Sequence, residues 1–227
     1  MRKSLAILLL SAATANTALA QSDYEYRMEV GAGIGMMSYE GDFNGSILSN
    51  MQPTASVVLR RLFNPYMGVR LAASYGKLKG SSKDVKTYMP DYVETPYDFS
   101  NTLIDVSATY EYNFWPYGTG NDYRGAKRLT PFVFGGIGAT CVTGGGSVFT
   151  ANVPIGLGVK YKVAQRVNLG IEWTAHFSLS DKLDGVADPY GIKSSGLFKN
   201  TDCYSVLQLT LTYSFMPKCR TCHNDDE

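Results

Sequence analysis

Beyond its first twenty residues, this 227-residue chain never reaches the roughly 18 consecutive apolar side chains that a membrane-spanning helix requires, so a helical anchor is excluded. Cysteine occurs only four times, too sparsely for a disulfide scaffold of this length. A formal net charge of +1 gives no support to nucleic-acid binding. Neither a carboxylate cluster nor a basic aromatic patch stands out along the sequence. The glycine run Gly144-Gly145-Gly146 lacks the following lysine and helix of a phosphate loop and reads as a turn. What the chain does have is glycine and aromatic side chains: 23 Gly, 16 Tyr and 10 Phe.

Residues 1–20 read as a secretory signal. Arg2 and Lys3 make the positive start, Leu5 to Leu10 the short apolar stretch, and Ala18-Leu19-Ala20 the small-x-small cleavage site. Removing them turns the net charge from +1 to −1 and leaves 207 of the 227 residues, enough for one large β domain over 21–216 and a short tail over 217–227.

The stretch Val167 to Leu179 sets the class. Val167, Leu169, Ile171, Trp173, Ala175, Phe177 and Leu179 alternate with Asn168, Gly170, Glu172, Thr174, His176 and Ser178. Strand side chains point alternately to opposite faces, so this is a long strand with one apolar and one polar side. Ser205, Leu207, Leu209, Leu211, Tyr213 and Phe215 against Tyr204, Val206, Gln208, Thr210, Thr212 and Ser214 repeat the pattern. Eight strands are expected, at about 26–39, 54–63, 66–77, 101–114, 131–142, 151–163, 166–179 and 203–215. Asn64-Pro65 and the neighbourhood of Ala164-Gln165 make tight turns, while 40–53, 78–100, 143–150 and 180–202 are longer. The 115–130 connection is long where a tight turn is expected. Short turns at one end and long loops at the other are the plan of an outer-membrane barrel, with the short end and both termini periplasmic.

Alternation alone does not decide which face meets lipid. Four features turn the apolar face outward, giving an all-β, eight-stranded, antiparallel, up-and-down transmembrane β-barrel. The polar set carries Glu29, Arg60, Arg70, Asp105, Glu111, Lys160, Lys162, Glu172 and His176, with glycines such as Gly31, Gly33, Gly156 and Gly158 that a narrow interior needs. Aromatic residues gather at both strand ends, with Phe63, Tyr66, Tyr110, Tyr112, Phe114, Tyr161, Tyr213 and Phe215 at one rim and Tyr39, Tyr75, Phe149 and Phe177 at the other. The strands are long enough to cross a bilayer when tilted. The signal permits the compartment.

Charges confined in a small bore must pair or stay hydrated. The acids Glu29, Asp105, Glu111 and Glu172 against the bases Arg60, Arg70, Lys160 and Lys162 therefore predict a cross-linked, plugged lumen. No catalytic residue, metal ligand, cofactor or small-molecule substrate is expected. His176-Phe177-Ser178 resembles the His-x-Ser element of lipid A deacylases, but the pair shares the lumen face with Glu172, which lies roughly 13 Å along the strand from His176. Cys219-Arg220-Thr221-Cys222-His223 has the spacing of a c-type haem attachment, yet about a dozen tail residues cannot enclose a haem. A metal clip and disulfide chemistry remain for that tail.

Four segments together resemble the PorG-type barrels of the type IX secretion system. They are Tyr39-Glu40-Gly41-Asp42-Phe43-Asn44, Glu111-Tyr112-Asn113-Phe114, Thr130-Pro131-Phe132-Val133-Phe134-Gly135-Gly136-Ile137-Gly138 and Ser180-Asp181-Lys182-Leu183-Asp184. The family has Tyr-x-Gly-Asp-Leu-Asn for the first, Thr-Pro-Tyr-x-Phe-Gly-Gly-x-Gly for the third and Asp-Tyr-Leu-Asp-Asp for the fourth. Lys182 stands where that last motif has an aromatic residue, and Gly185 where it has the second Asp. The resemblance implies a non-enzymatic outer-membrane component of a protein-export machine, whose periplasmic side meets a ring of a lipoprotein and its partner, PorK and PorN. Tyr117, Tyr123 and Arg124 in the long connection, with Cys219 and Cys222 in the tail, are the candidate partner contacts. Two other readings stand beside it: a free-standing surface barrel for adhesion or membrane integrity, and a lipid A-modifying hydrolase.

Overall fold

The computed structural model describes residues 26–40, 50–81, 98–118, 126–144, 147–180 and 202–217. They form eight strands: β1 (Tyr26–Glu40), β2 (Gln52–Asn64), β3 (Met67–Ser81), β4 (Asp98–Asn113), β5 (Leu129–Thr143), β6 (Ser147–Lys162), β7 (Val167–Ser178) and β8 (Cys203–Pro217). Each pairs antiparallel with the next, and β8 closes on β1 from Tyr26↔Pro217 to Glu40↔Cys203. Closure leaves no unpaired sheet edge, which is the condition for crossing hydrocarbon with strands. The first and last strands enter and leave at the same rim, called here the turn rim.

Several strands run further than alternation of polarity indicates. β3 and β4 pair out to Ser81↔Asp98, so the connection expected over 78–100 narrows to 82–97. β5 and β6 stay paired to Thr143↔Ser147, which reduces the expected 143–150 loop to the glycine run at 144–146. Backbone pairing persists there because a ladder needs no apolar side chains once two strands are already aligned. At the turn rim Tyr66 lies in the turn rather than in β3, and a register shift between Leu62 and Asn64 puts a bulge at Phe63. The signal segment, the residues 218–227 of the tail, Tyr123, Arg124, Cys219 and Cys222 lie outside the described residues.

Burial is inverted relative to a water-soluble barrel. Ile34, Ile137 and Phe149 are 69, 72 and 77% exposed, while Glu29, Arg60 and Asp105 are each 1% exposed. Each large apolar side chain left in water forfeits about 1.5–3 kcal/mol, and the band of exposed Val, Leu and Ile runs over all eight strands. Only a hydrocarbon surrounding removes that penalty, so the fold is a transmembrane barrel. Phe63, Tyr110, Phe114, Tyr161 and Tyr213 are exposed on the outer wall toward the turn rim, and Tyr75 and Phe149 toward the other. Tyr39 is a correction to the expected girdle. It is fully buried inside the barrel, because it shares the parity of Glu29 on β1.

Candidate functional site

The lumen-facing parity of the strands brings six of the predicted charges, Glu29, Arg60, Arg70, Glu111, Lys160 and Glu172, together in the bore. Glu29, Arg60 and Arg70 stand side by side on β1, β2 and β3, through the pairs Glu29↔Arg60 and Arg60↔Arg70. Two directly opposed guanidinium groups repel one another. The repulsion is relieved by sending them to different acids. Arg60 donates through Nη1 to Glu29 Oε2 at 2.5 Å and through Nε to Glu111 Oε2 at 2.9 Å. Arg70 reaches across the bore to Glu172 on β7. Lys160 donates to the other oxygen of Glu111, so that one carboxylate bridges two cations.

Two phenylalanines of β5 complete this cluster. Phe132 and Phe134 point inward with stacked rings 5.7 Å apart, opposite Gly158 and Gly156 of β6. A Cβ on Gly156 would run into the Phe134 ring and lie 2.7 Å from the Trp173 carbonyl oxygen, so only glycine leaves room for that ring. The Arg70 guanidinium lies 4.0 Å from the Phe134 centroid, and the Lys160 ammonium 4.3 Å from that of Phe132. Each cation is therefore held by a carboxylate and an aromatic face together. The glycine spacing and the parity of Phe132, Phe134, Gly136 and Gly138 carried this signal, although neither phenylalanine stood among the residues expected in the lumen.

Asp105 departs from the expected pairing of four acids with four bases. It lies apart from the arginines, and its Oδ1 accepts from Thr140 at 3.0 Å, Asn152 at 2.5 Å and Tyr204 at 2.9 Å. His176 Nδ1 is 3.9 Å away, and the imidazole stacks on Tyr204 at 4.4 Å. Three donors disperse the buried charge here in place of a base. His176 thus finds its acid across the barrel on β4, a partner that spacing along β7 could not reveal. Ser178 is buried, its Oγ accepts from the Ser180 amide at 3.0 Å, and no hydrogen bond joins it to His176. The chain of nucleophile, base and acid that acyl transfer needs is broken at its first link.

Beyond Asp105, away from the turn rim, the bore changes character. Met37, Tyr39, Leu78, Phe99, Leu103, Val142, Tyr204 and Val206 form a buried apolar cluster inside the barrel. Tyr39 packs edge-on against Phe99 at 5.1 Å and donates to Asp202 Oδ1 at 2.5 Å. The lumen is therefore filled by an apolar plug as well as by salt links.

At the turn rim the described ends of the long connection, 114–118 and 126–128, pack over the bore. Tyr117 is 1% exposed, and its hydroxyl donates to Asn168 Oδ1 at 3.0 Å, the oxygen that also accepts from Lys162 at 3.0 Å. Burial, reinforced by the charge of Glu29, pushes the Tyr117 hydroxyl well above the usual tyrosine range, which keeps it a donor. The backbone is anchored by Tyr117 N–H to the Pro65 carbonyl at 3.2 Å, and Asn113 Nδ2 donates to the same oxygen at 3.0 Å. Thr130 clasps both backbone groups of Trp115, at 3.1 and 3.2 Å. Tyr117 is thus a lid residue turned into the lumen, which withdraws its side chain from the surface expected to meet a partner.

Residues of three of the motifs behind the family resemblance hold barrel ends: Tyr39 in the plug, Glu111 in the ion network, Asn113 and Thr130 in the lid. Among the described residues no group of three or more His, Cys, Asp or Glu could hold a metal ion, and Cys141 forms no disulfide.

The shape of the chain is similar to that of several solved barrels. Neisserial surface protein A is 15% identical, with 83% of this chain and 97% of that one covered at a TM-score of 0.48. The outer membrane protein OprG from Pseudomonas aeruginosa is 12% identical over 86% and 99%, at 0.46. Ail, the attachment invasion locus protein of Yersinia pestis, is 10% identical over 86% and 100%, at 0.45. At these identities the likeness concerns the fold alone. No curated protein sequence matches the chain. The family model described as "Domain of unknown function (DUF6089)" matches residues 3–224, nearly the whole sequence, and the chain belongs to that family.

Proposed function

We propose that this protein is a structural barrel of the bacterial outer membrane, without catalytic activity, that docks a protein-export assembly of the type IX kind. The observation that carries the structural part is the filled bore. Arg60, Arg70 and Lys160 are cross-linked to Glu29, Glu111 and Glu172, with an apolar plug beyond them. A barrel closed in this way works at its rims. Retained inward charges specify one packing of the lumen and hold the wall rigid against whatever is attached to it.

The export role rests on the PorG-type resemblance and on the elaboration of the turn rim. There a closed lid built from 114–118 and 126–128 replaces a minimal turn. The ring of a PorK-like lipoprotein and its PorN-like partner would meet that rim in the periplasm, where both ends of the barrel would lie. Of the residues predicted for this contact, Tyr117 serves the lid, which leaves Tyr123, Arg124, Cys219 and Cys222. Affinity purification of the membrane-embedded protein should recover both ring proteins, and a deletion strain should lose cargo export. Normal export in that strain contradicts the proposal.

One observation favours the free-standing surface barrel as a second reading. The β3–β4 ladder is long and carries its hairpin out to Ser81↔Asp98 at the loop rim. On that reading, shortening the 82–97 connection abolishes function, and altering the turn rim does not.

A further inference from the structure

Exposed charge on the described residues is distributed unequally between the rims. At the turn rim Arg27, Arg61, Lys127, Arg128 and Arg166 are all exposed. The described carboxylates nearest that rim, Glu29 and Glu111, face the bore and are engaged with Arg60 and Lys160. The other described acids are the lumenal Asp105 and Glu172, and Glu40, Asp98 and Asp202 at the loop rim, where Asp98 is exposed, Asp202 is buried, and the exposed cations are Lys77 and Lys79. None of Arg61, Lys127, Arg128 and Arg166 forms an ion pair with a described carboxylate.

Three of these cations are set among aromatic residues of the turn rim, of which Phe63, Trp115 and Tyr213 are exposed and Tyr26 is buried. The Arg61 guanidinium lies 6.0 Å from the Phe63 ring centroid, and the Lys127 ammonium 4.7 Å from that of Trp115. Arg166 lies 5.4 Å from the Tyr26 centroid and donates to the hydroxyls of Tyr26 at 3.3 Å and Tyr213 at 3.0 Å. Those two bonds use two of the five N–H groups of a guanidinium. Aromatic rings of this kind seat themselves at the depth of lipid headgroups, so the cations beside them are carried at phosphate level. They come from β2, the lid and the β6–β7 turn, and so encircle the barrel.

We propose that the turn rim is a binding belt for the phosphates of anionic phospholipids, with Arg61, Lys127, Arg128 and Arg166 as its principal contacts. The occupant is a lipid headgroup because the cations are spread around the wall beside lipid-facing rings rather than gathered into one patch on the end face. Guanidinium groups suit phosphate, whose oxygens accept two parallel N–H bonds. A neutral headgroup offers a phosphate whose charge its own ammonium cancels. The belt therefore discriminates by net charge, and its selectivity weakens with salt.

The inference rests on the lipid-facing exterior and not on the export role. The test uses the purified full chain in nanodiscs made from equal parts phosphatidylglycerol and phosphatidylcholine, with the lipids retained after detergent extraction identified by native mass spectrometry. The wild-type protein should retain phosphatidylglycerol preferentially, and the preference should fall as ionic strength rises. The triple variant R61Q/K127Q/R128Q should reduce it by about a hundredfold, since each of the three cations near an anionic surface is worth roughly fivefold. Equal retention of the two lipids by the wild type overturns the proposal, as does a preference insensitive to salt or unchanged in the folded variant. Binding of an acidic polypeptide at this rim without lipid selectivity also overturns it and assigns the belt to a protein. Failure to insert into any bilayer instead refutes the transmembrane reading itself.

Discussion

Replacing Arg60 with Met should lower the unfolding free energy of the barrel in lipid vesicles by about 3–5 kcal/mol, the usual cost of breaking a buried ion pair from one side. Arg60 is 1% exposed and holds Glu29 and Glu111 together. Without it both carboxylates stay in a bore from which side chains have displaced most of the solvent. Glu111 keeps Lys160, whereas Glu29 keeps only weak hydroxyl donors, Thr212 at 3.4 Å and Ser214 at 3.5 Å. Adding Glu29→Gln to Arg60→Met should therefore restore part of the loss, because the orphaned charge goes with it. Urea titrations followed by tryptophan fluorescence and by the mobility shift of the folded barrel in gels read both effects. A double variant less stable than the single one by the full cost of Glu29→Gln alone would show that the two side chains are not coupled.

Leu209→Arg should cost about 2–4 kcal/mol in a bilayer, the range for a cation on the lipid face at mid-depth. Leu209 lies near the middle of β8, between Ile34 and Ile171 on the neighbouring strands, and is 43% exposed. On a water-facing wall the same change falls within about 0.5 kcal/mol of neutral. The substitution thus separates the two orientations by a margin larger than the error of the titration. Arginine at Arg61, a wall position beside the turn rim, is already tolerated because its long stem carries the guanidinium to the interface. From Leu209 the interface is too far.

The contrast between Leu209 and Arg60 was legible in the sequence, since alternation on each strand assigned both faces. Strand count, up-and-down order and the inward set Glu29, Arg60, Arg70, Asp105, Glu111, Lys160, Lys162 and Glu172 all follow from period two and from turn placement. Less legible was the height of each residue in the bore, because register depends on how neighbouring strands slide. That is why Asp105, counted with the other acids by charge, belongs to Thr140, Asn152, Tyr204 and His176 instead. Tyr39 was misplaced, and the inward Phe132 and Phe134 were missed, for another reason. Aromatic residues favour bilayer interfaces, but parity on β1 and β5 sends these three inward. There, opposed glycines make space for the two phenylalanine rings, and Phe99 packs against Tyr39. Tyr117 lies beyond the end of β4, where parity no longer applies. The basic belt at the turn rim is assembled from three separate segments and has no signature in any one of them.

Trp173 offers the most direct test of which surface the bilayer touches. The chain has two tryptophans, so W115F leaves Trp173 as the only reporter, on the outward parity of β7 between Leu157 and Leu207. In vesicles containing phospholipid brominated at mid-chain, its fluorescence should be strongly quenched, while iodide in the aqueous phase should have little effect. Strong quenching by iodide with none from the brominated chains would put water where this account puts hydrocarbon.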